Sequence, residues 1–163
     1  MSEGELQHTT FESAKEYIAT LDTICGLAQC SLNIFEKNFA DIGFNSEARY
    51  ETLRHFLLTD SRAELRLLAH DVQHIAGYCP RLMMLLKQYN HRMHIFRTPP
   101  HMRSLTEPFA VADDLHFVRR FHFDYTRGIL AKFDPAGAGM LNSQFKEMWQ
   151  SSHSGVAATT IGL

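Results

Sequence analysis

A chain of 163 residues, 45% hydrophobic and 21% charged, has the size and composition of one globular domain with a substantial core. A formal net charge of −2, from 16 basic and 18 acidic residues, excludes any global attraction for nucleic acid or an anionic membrane surface. No apolar run approaches the length of a membrane span, and the polar, acidic start MSEGELQHTT is not a signal peptide, so a cytoplasmic protein with no membrane partner is expected.

Residues 1–9 carry no apolar pattern and are expected to be disordered. From Thr10 to about Gln29, Phe11, Ala14, Tyr17, Ile18, Leu21, Ile24, Cys25 and Ala28 keep helical spacing. Ser31-Leu-Asn-Ile-Phe-Glu36 is short and partly alternating, which predicts a strand. Asn45 or Ser46 is placed to cap a second helix, and Glu47 and Glu51 suit its positive N-terminal end. Glu64 to His70 is a second strand, apolar at its centre. A third helix starts at Tyr78-Cys-Pro-Arg-Leu, with Pro80 in the first turn, where a missing N–H costs nothing. Met93-His-Ile-Phe-Arg97 is a third strand, followed by a loop with Pro99 and Pro100. Phe109–Ala112 and His116–Asp124 form a hairpin around Asp113-Asp114, Gly128–Phe133 is another strand, and a last helix spans Ala136 to Ser151. Residues 153–163 are weakly patterned and expected to be loose.

Strand, helix, strand, helix, strand predicts an α/β domain whose sheet begins parallel, becomes mixed at the hairpin and carries helices on both faces. One domain over residues 10–152 is expected, with no internal repeat or linker. Cys25, Cys30 and Cys79 match no zinc spacing and read as reduced core or boundary thiols. His70 and His74 would stand one turn apart on a helix, but no third ligand is spaced to join them, so neither a metal nor a cofactor is expected. There is no glycine-rich phosphate loop and no nucleophile elbow. Between Arg97 and Arg127 five arginines face four acids, too small a surplus for a nucleic-acid patch.

The order of these elements carries a resemblance. A second strand ends in His70-Asp71, a helix starts at Pro80-Arg-Leu82, a short strand ends in Asp113-Asp114, and a later strand ends in Asp134-Pro135. The last helix carries Phe145-x-x-x-Trp149. In this layout the chain resembles one half of the phospholipase D-like superfamily over about residues 12–152. More narrowly it looks like a proteobacterial branch in which such domains also sit behind GNAT-type acetyltransferase domains. Active members of the superfamily carry His-x-Lys-x4-Asp twice, from two halves of a chain or from two subunits. One histidine attacks phosphorus, the other protonates the leaving group, and the lysines hold phosphate oxygens. Here the resemblance places Glu107 at the histidine position, Phe109 at the lysine position and Asp114 at the aspartate position. The Gly-Ser-x-Asn segment that usually follows falls on Phe121-His122-Phe123-Asp124.

No catalytic residue is therefore assigned. The alternating strand from His116 puts Phe117, Arg119, Phe121, Phe123 and Tyr125 on one face. His116, Val118, Arg120, His122 and Asp124 fall on the other. A repurposed binding cleft of Glu107, Asp114, Arg120, His122 and Asp124 is the candidate site, and a polar face turned to solvent is the competing reading. The resemblance implies a homodimer, because single halves pair across the cleft. The expected function is a non-catalytic binding, accessory or regulatory module. The alternatives are a phosphodiesterase or nuclease with relocated groups, led by His122, or a stand-alone partner of an acetyltransferase.

Overall fold

Three apolar runs of five or six residues become the parallel centre of one sheet. The computed structural model describes residues 4–156. Its elements are β1 (Gln7–Phe11), α1 (Ala14–Leu27), β2 (Ser31–Glu36), α2 (Glu47–Thr59), β3 (Glu64–Ala69), α3 (Gln73–Tyr78), α4 (Pro80–Gln88) and β4 (Met93–Arg97). A 3₁₀ turn at Pro100–Met102 leads to β5 (Phe109–Ala112), β6 (His116–Arg120), β7 (Gly128–Lys132), α5 (Pro135–Gln150) and β8 (His153–Val156). The strand order is β1-β7-β6-β5-β2-β3-β4-β8. β2, β3 and β4 run parallel and every other pairing is antiparallel, so the mixed, partly parallel α/β sheet expected from the sequence is the fold.

Alternation along the strands divides the core in two. Leu32, Ile34, Leu65, Leu67, Ile95, Ala110 and Val118 point to the face covered by α1 to α4. Phe35, Leu68, Phe109, Val111 and Phe117 point to the other face, covered by α5. Arg49 is buried under α1, where its Nε donates to Asp22 (2.8 Å) and its guanidinium lies 4.6 Å from the Phe44 ring. That contact ties the β2–α2 loop to α1 and α2.

The boundaries differ from expectation at both ends. Gln7 to Thr9, expected to be disordered, pair with β7 as an edge strand. Only Phe11 of β1 is buried, so the strand carries almost no hydrophobic signal. The first helix starts at Ala14, not Thr10. Ser13 accepts from the Glu16 N–H and Glu16 accepts from the Ser13 N–H, a capping box that fixes the start. Residues 153–156, expected to be a loose tail, form β8 against β4. Gly155 is required there, because a Cβ would stand 2.9 Å from the Val72 side chain. The rest of the expected tail, residues 157–163, lies outside the described residues. The helix expected from Tyr78 is α4, starting at Pro80, and the loop expected before it contains the short helix α3; β6 stops at Arg120, leaving residues 121–127 as a loop.

Candidate functional site

The parallel strands bring their C-terminal ends to one side of the sheet. The start of β5 and the end of β6 reach the same side, because both are antiparallel to their neighbours. Two adjoining hollows open there. The outer cleft, about 350 Å³, is lined by Lys37, His70, Asp71, Arg103, His122 and Asp124 among others. The inner one, about 210 Å³, is lined by Tyr17, Glu36, Asp41, Arg120 and Thr126 among others. Lys37, Asn38 and Phe123 line both, so Phe123 stands as the wall between them.

Two buried polar groups dominate this end of the sheet. Glu36 closes β2 and is only 3% exposed. Its carboxylate accepts from the Tyr17 hydroxyl and from Arg120 Nη2 at 3.1 Å. Burial pushes the Glu36 carboxyl above its usual range, with the Arg120 charge opposing that rise. Arg120 also donates through Nη1 to the carbonyls of Phe123 and Tyr125, and its guanidinium lies 4.4 Å from the Tyr17 ring. One side chain thus fastens the 121–127 loop to the core.

His70 follows β3 and is buried. Its Nε2–H donates to the Leu105 carbonyl at 2.7 Å, which leaves Nδ1 to accept from the Thr98 hydroxyl at 2.5 Å. Both ring nitrogens are occupied in the neutral tautomer, and burial lowers the pKa further from charge. Its ring packs edge-on against Phe35 and Phe123.

The sequence-predicted residues divide between the two ends of the molecule. His122 and Asp124 line the outer cleft and Arg120 the inner hollow. Glu107 is exposed just before β5 and lines neither. Phe109 is 1% exposed and packed against Phe35 and Phe145. Asp114 lies at the opposite end of the sheet. It sits with Asp113 in the β5–β6 turn, both at positive φ, as a type I′ hairpin turn requires. Asp113 fixes that turn by accepting the backbone N–H groups of Gln29, Cys30 and Ser31, at the start of β2. A four-residue strand separates Asp114 from Glu107, so no single cleft can hold both. The His116–Arg120 face is not turned to solvent: His116, Val118 and Arg120 are buried.

His122 and Asp124 do not form an acid–base pair of the required kind. The Asp124 N–H donates to His122 Nδ1 at 3.0 Å, which puts the ring proton on Nε2. The Asp124 carboxylate stands 3.6 Å from that same Nδ1, where no proton is available to be oriented. His74, the other half of the expected histidine pair, stacks on Tyr78 away from His70's partners. Among the described residues no group of three or more His, Cys, Asp or Glu side chains is placed to hold a metal ion. Among the same residues no helix is long and apolar enough to cross a membrane. Sequence reading missed Glu36 and Tyr17. The one available signal was a glutamate closing the apolar run Leu32–Phe35.

The family described as a domain of unknown function, DUF7931, matches residues 13–157. No curated protein sequence matches the chain. Among solved structures, the chain superposes on TrmBL2, an archaeal chromatin protein with a novel mode of DNA binding. The TM-score is 0.66 at 9% identity, over 90% of this chain and 53% of that one, about half its length. It superposes on Nuc from Salmonella typhimurium, a phospholipase D family member, with a TM-score of 0.63 at 11% identity, over 91% of this chain and 97% of that one. NucT from Helicobacter pylori gives 0.61 at 12% identity, over 92% and 99%. These likenesses establish a phospholipase D-like fold.

Proposed function

We propose that this chain, which belongs to the DUF7931 family, is a phospholipase D-like module that binds at its cleft and does not hydrolyse phosphodiesters. The observation that carries this reading is the β5 mouth. The resemblance puts a carboxylate, Glu107, and a core phenyl, Phe109, at the positions where the superfamily's chemistry needs a nucleophile and a cation. The nearby histidines offer no replacement. His70 has both nitrogens engaged, and His122 accepts a backbone N–H. The lining charges balance, Lys37 and Arg103 against Asp71 and Asp124, which favours a neutral or mixed-charge ligand over the DNA that TrmBL2 binds. Pure protein is expected to turn over neither bis(p-nitrophenyl) phosphate nor single-stranded DNA above background. The missing nucleophile and clamp are each worth on the order of 10³ in rate. Turnover abolished by His122→Ala or His70→Ala would instead establish a relocated phosphodiesterase site.

The pairing of single halves in this superfamily supports a homodimer through the cleft side, from Glu107 to Asp124. Arg120 is not available to neutralise acids across such an interface, since its guanidinium is buried against Glu36. Exposed Arg103, four positions before Glu107, is the cation paired here with Glu107 of a second copy. Sedimentation at tens of micromolar is expected to show a dimer that Arg103→Glu weakens and that salt weakens in parallel. A monomeric wild type, or a dimer indifferent to Arg103→Glu, removes this interface.

A further inference from the structure

Three motif residues that the cleft does not use meet elsewhere. Asp114, Phe145 and Trp149 line a groove of about 560 Å³ between α5 and the starts of β2 and β3. It lies at the opposite end of the strands from the cleft, so it stands or falls independently of the binding reading above. Its floor contains an unusual residue for an apolar strand. Asn33 is 8% exposed in the middle of β2, and a buried amide is the informative exception to apolar packing.

Asn33 belongs to a continuous polar row. Asn33 Nδ2 donates to Asn142 Oδ1 at 3.0 Å, and Asn142 Nδ2 donates to the Asp114 carboxylate. On the other side Arg66 Nη1 reaches Asn33 Oδ1 at 3.4 Å, and Arg66 Nη2 donates to Glu64 at 2.7 Å. Lys146 lines the same groove. The row alternates planar donors and acceptors across two strands and a helix. Half-buried Trp149, stacked on the buried Phe145 at 5.5 Å and on Phe96 at 3.9 Å, stands as the apolar wall beside it.

We propose that this groove binds a saccharide or similar neutral polyol. Each hydroxyl of such a ligand both donates and accepts, which matches a surface where carboxylates, amides and a guanidinium follow one another. The C–H faces of the ring suit an aromatic wall. The two cations, Arg66 and Lys146, equal the two acids, Glu64 and Asp114, so a nucleotide finds no surplus charge. A peptide strand needs an open sheet edge, and β2 and β3 are flanked on both sides. The volume falls within the usual range of small-ligand sites, about 300–1,000 Å³.

Trp149 is the chain's single tryptophan, so its fluorescence reports this groove directly. The experiment titrates the full chain with glucose, galactose, N-acetylglucosamine, maltose and sucrose, with AMP and free amino acids alongside. At least one saccharide is expected to give a saturable change with Kd at or below about 1 mM. Asn142→Leu and Arg66→Met, both at half-buried positions and checked for an unchanged circular dichroism spectrum, should weaken it at least about tenfold, the usual effect of losing a hydrogen bond to a charged or buried partner. No saturable change with any saccharide overturns the proposal. So does a change that survives both substitutions, or a response to AMP or amino acids alone.

Discussion

Arg120→Ala is expected to cost the folded state about 3–5 kcal/mol in urea unfolding at neutral pH, because it strands the Glu36 carboxylate in the core. Glu36 and Arg120 are 3% and 9% exposed, so solvent cannot screen the loss. The same substitution releases the Phe123 and Tyr125 carbonyls, and hydrogen exchange of the 121–127 amides should accelerate with it. The double variant Glu36→Leu, Arg120→Met should recover most of the stability, since a matched apolar pair leaves no charge unpaired. A single-variant loss below about 1 kcal/mol, the range of an exposed pair, would show that the pair contributes little. The pH dependence has a definite sign. Burial raises the Glu36 pKa above its ordinary value, so the folded state holds the proton more tightly than the unfolded chain. That contribution is fully present below the unfolded pKa and is lost as pH rises through the folded one. Glu36→Gln should lack this decline. His70 and His116, whose pKa values burial lowers, act in the opposite sense: their contribution is present above the usual histidine value and lost as pH falls through the folded one.

Phe145→Ala is expected to cost about 3–5 kcal/mol, the usual price of removing a fully buried aromatic. Phe145 is 2% exposed and packs edge-on against Phe109 and alongside Trp149. With Ala138 and Met148 it holds α5 on the second face of the sheet. Trp149, one turn further along α5, is half-buried at the edge, stacked on Phe96 of β4 at 3.9 Å. Trp149→Ala should therefore cost less, about 2 kcal/mol. Thermal and urea unfolding of both variants checks the order. A larger loss at Trp149 than at Phe145 would place the weight of the α5 contact on β4 instead of β5.

The sequence by itself determined the interior of the sheet. Short apolar runs at 31–36, 64–69 and 93–97, separated by amphipathic helices, can bury both faces only as adjacent parallel strands. The hairpin at Asp113-Asp114 was legible for the same local reason. What the tertiary structure decided is where distant residues meet. The hairpin places its turn and its open ends on opposite sides of the sheet, which separates Asp114 from Glu107 and joins it instead to Asn142 and Asn33. β1 and β8 are edge strands held mostly by backbone hydrogen bonds, so their side chains carry almost no periodic signal. Arg120 reads from the sequence as a binding-cleft residue because its partner, Glu36, lies 84 positions earlier in the chain. A charge has no periodicity that announces burial; only the fold brings it to the one carboxylate that makes burial tolerable.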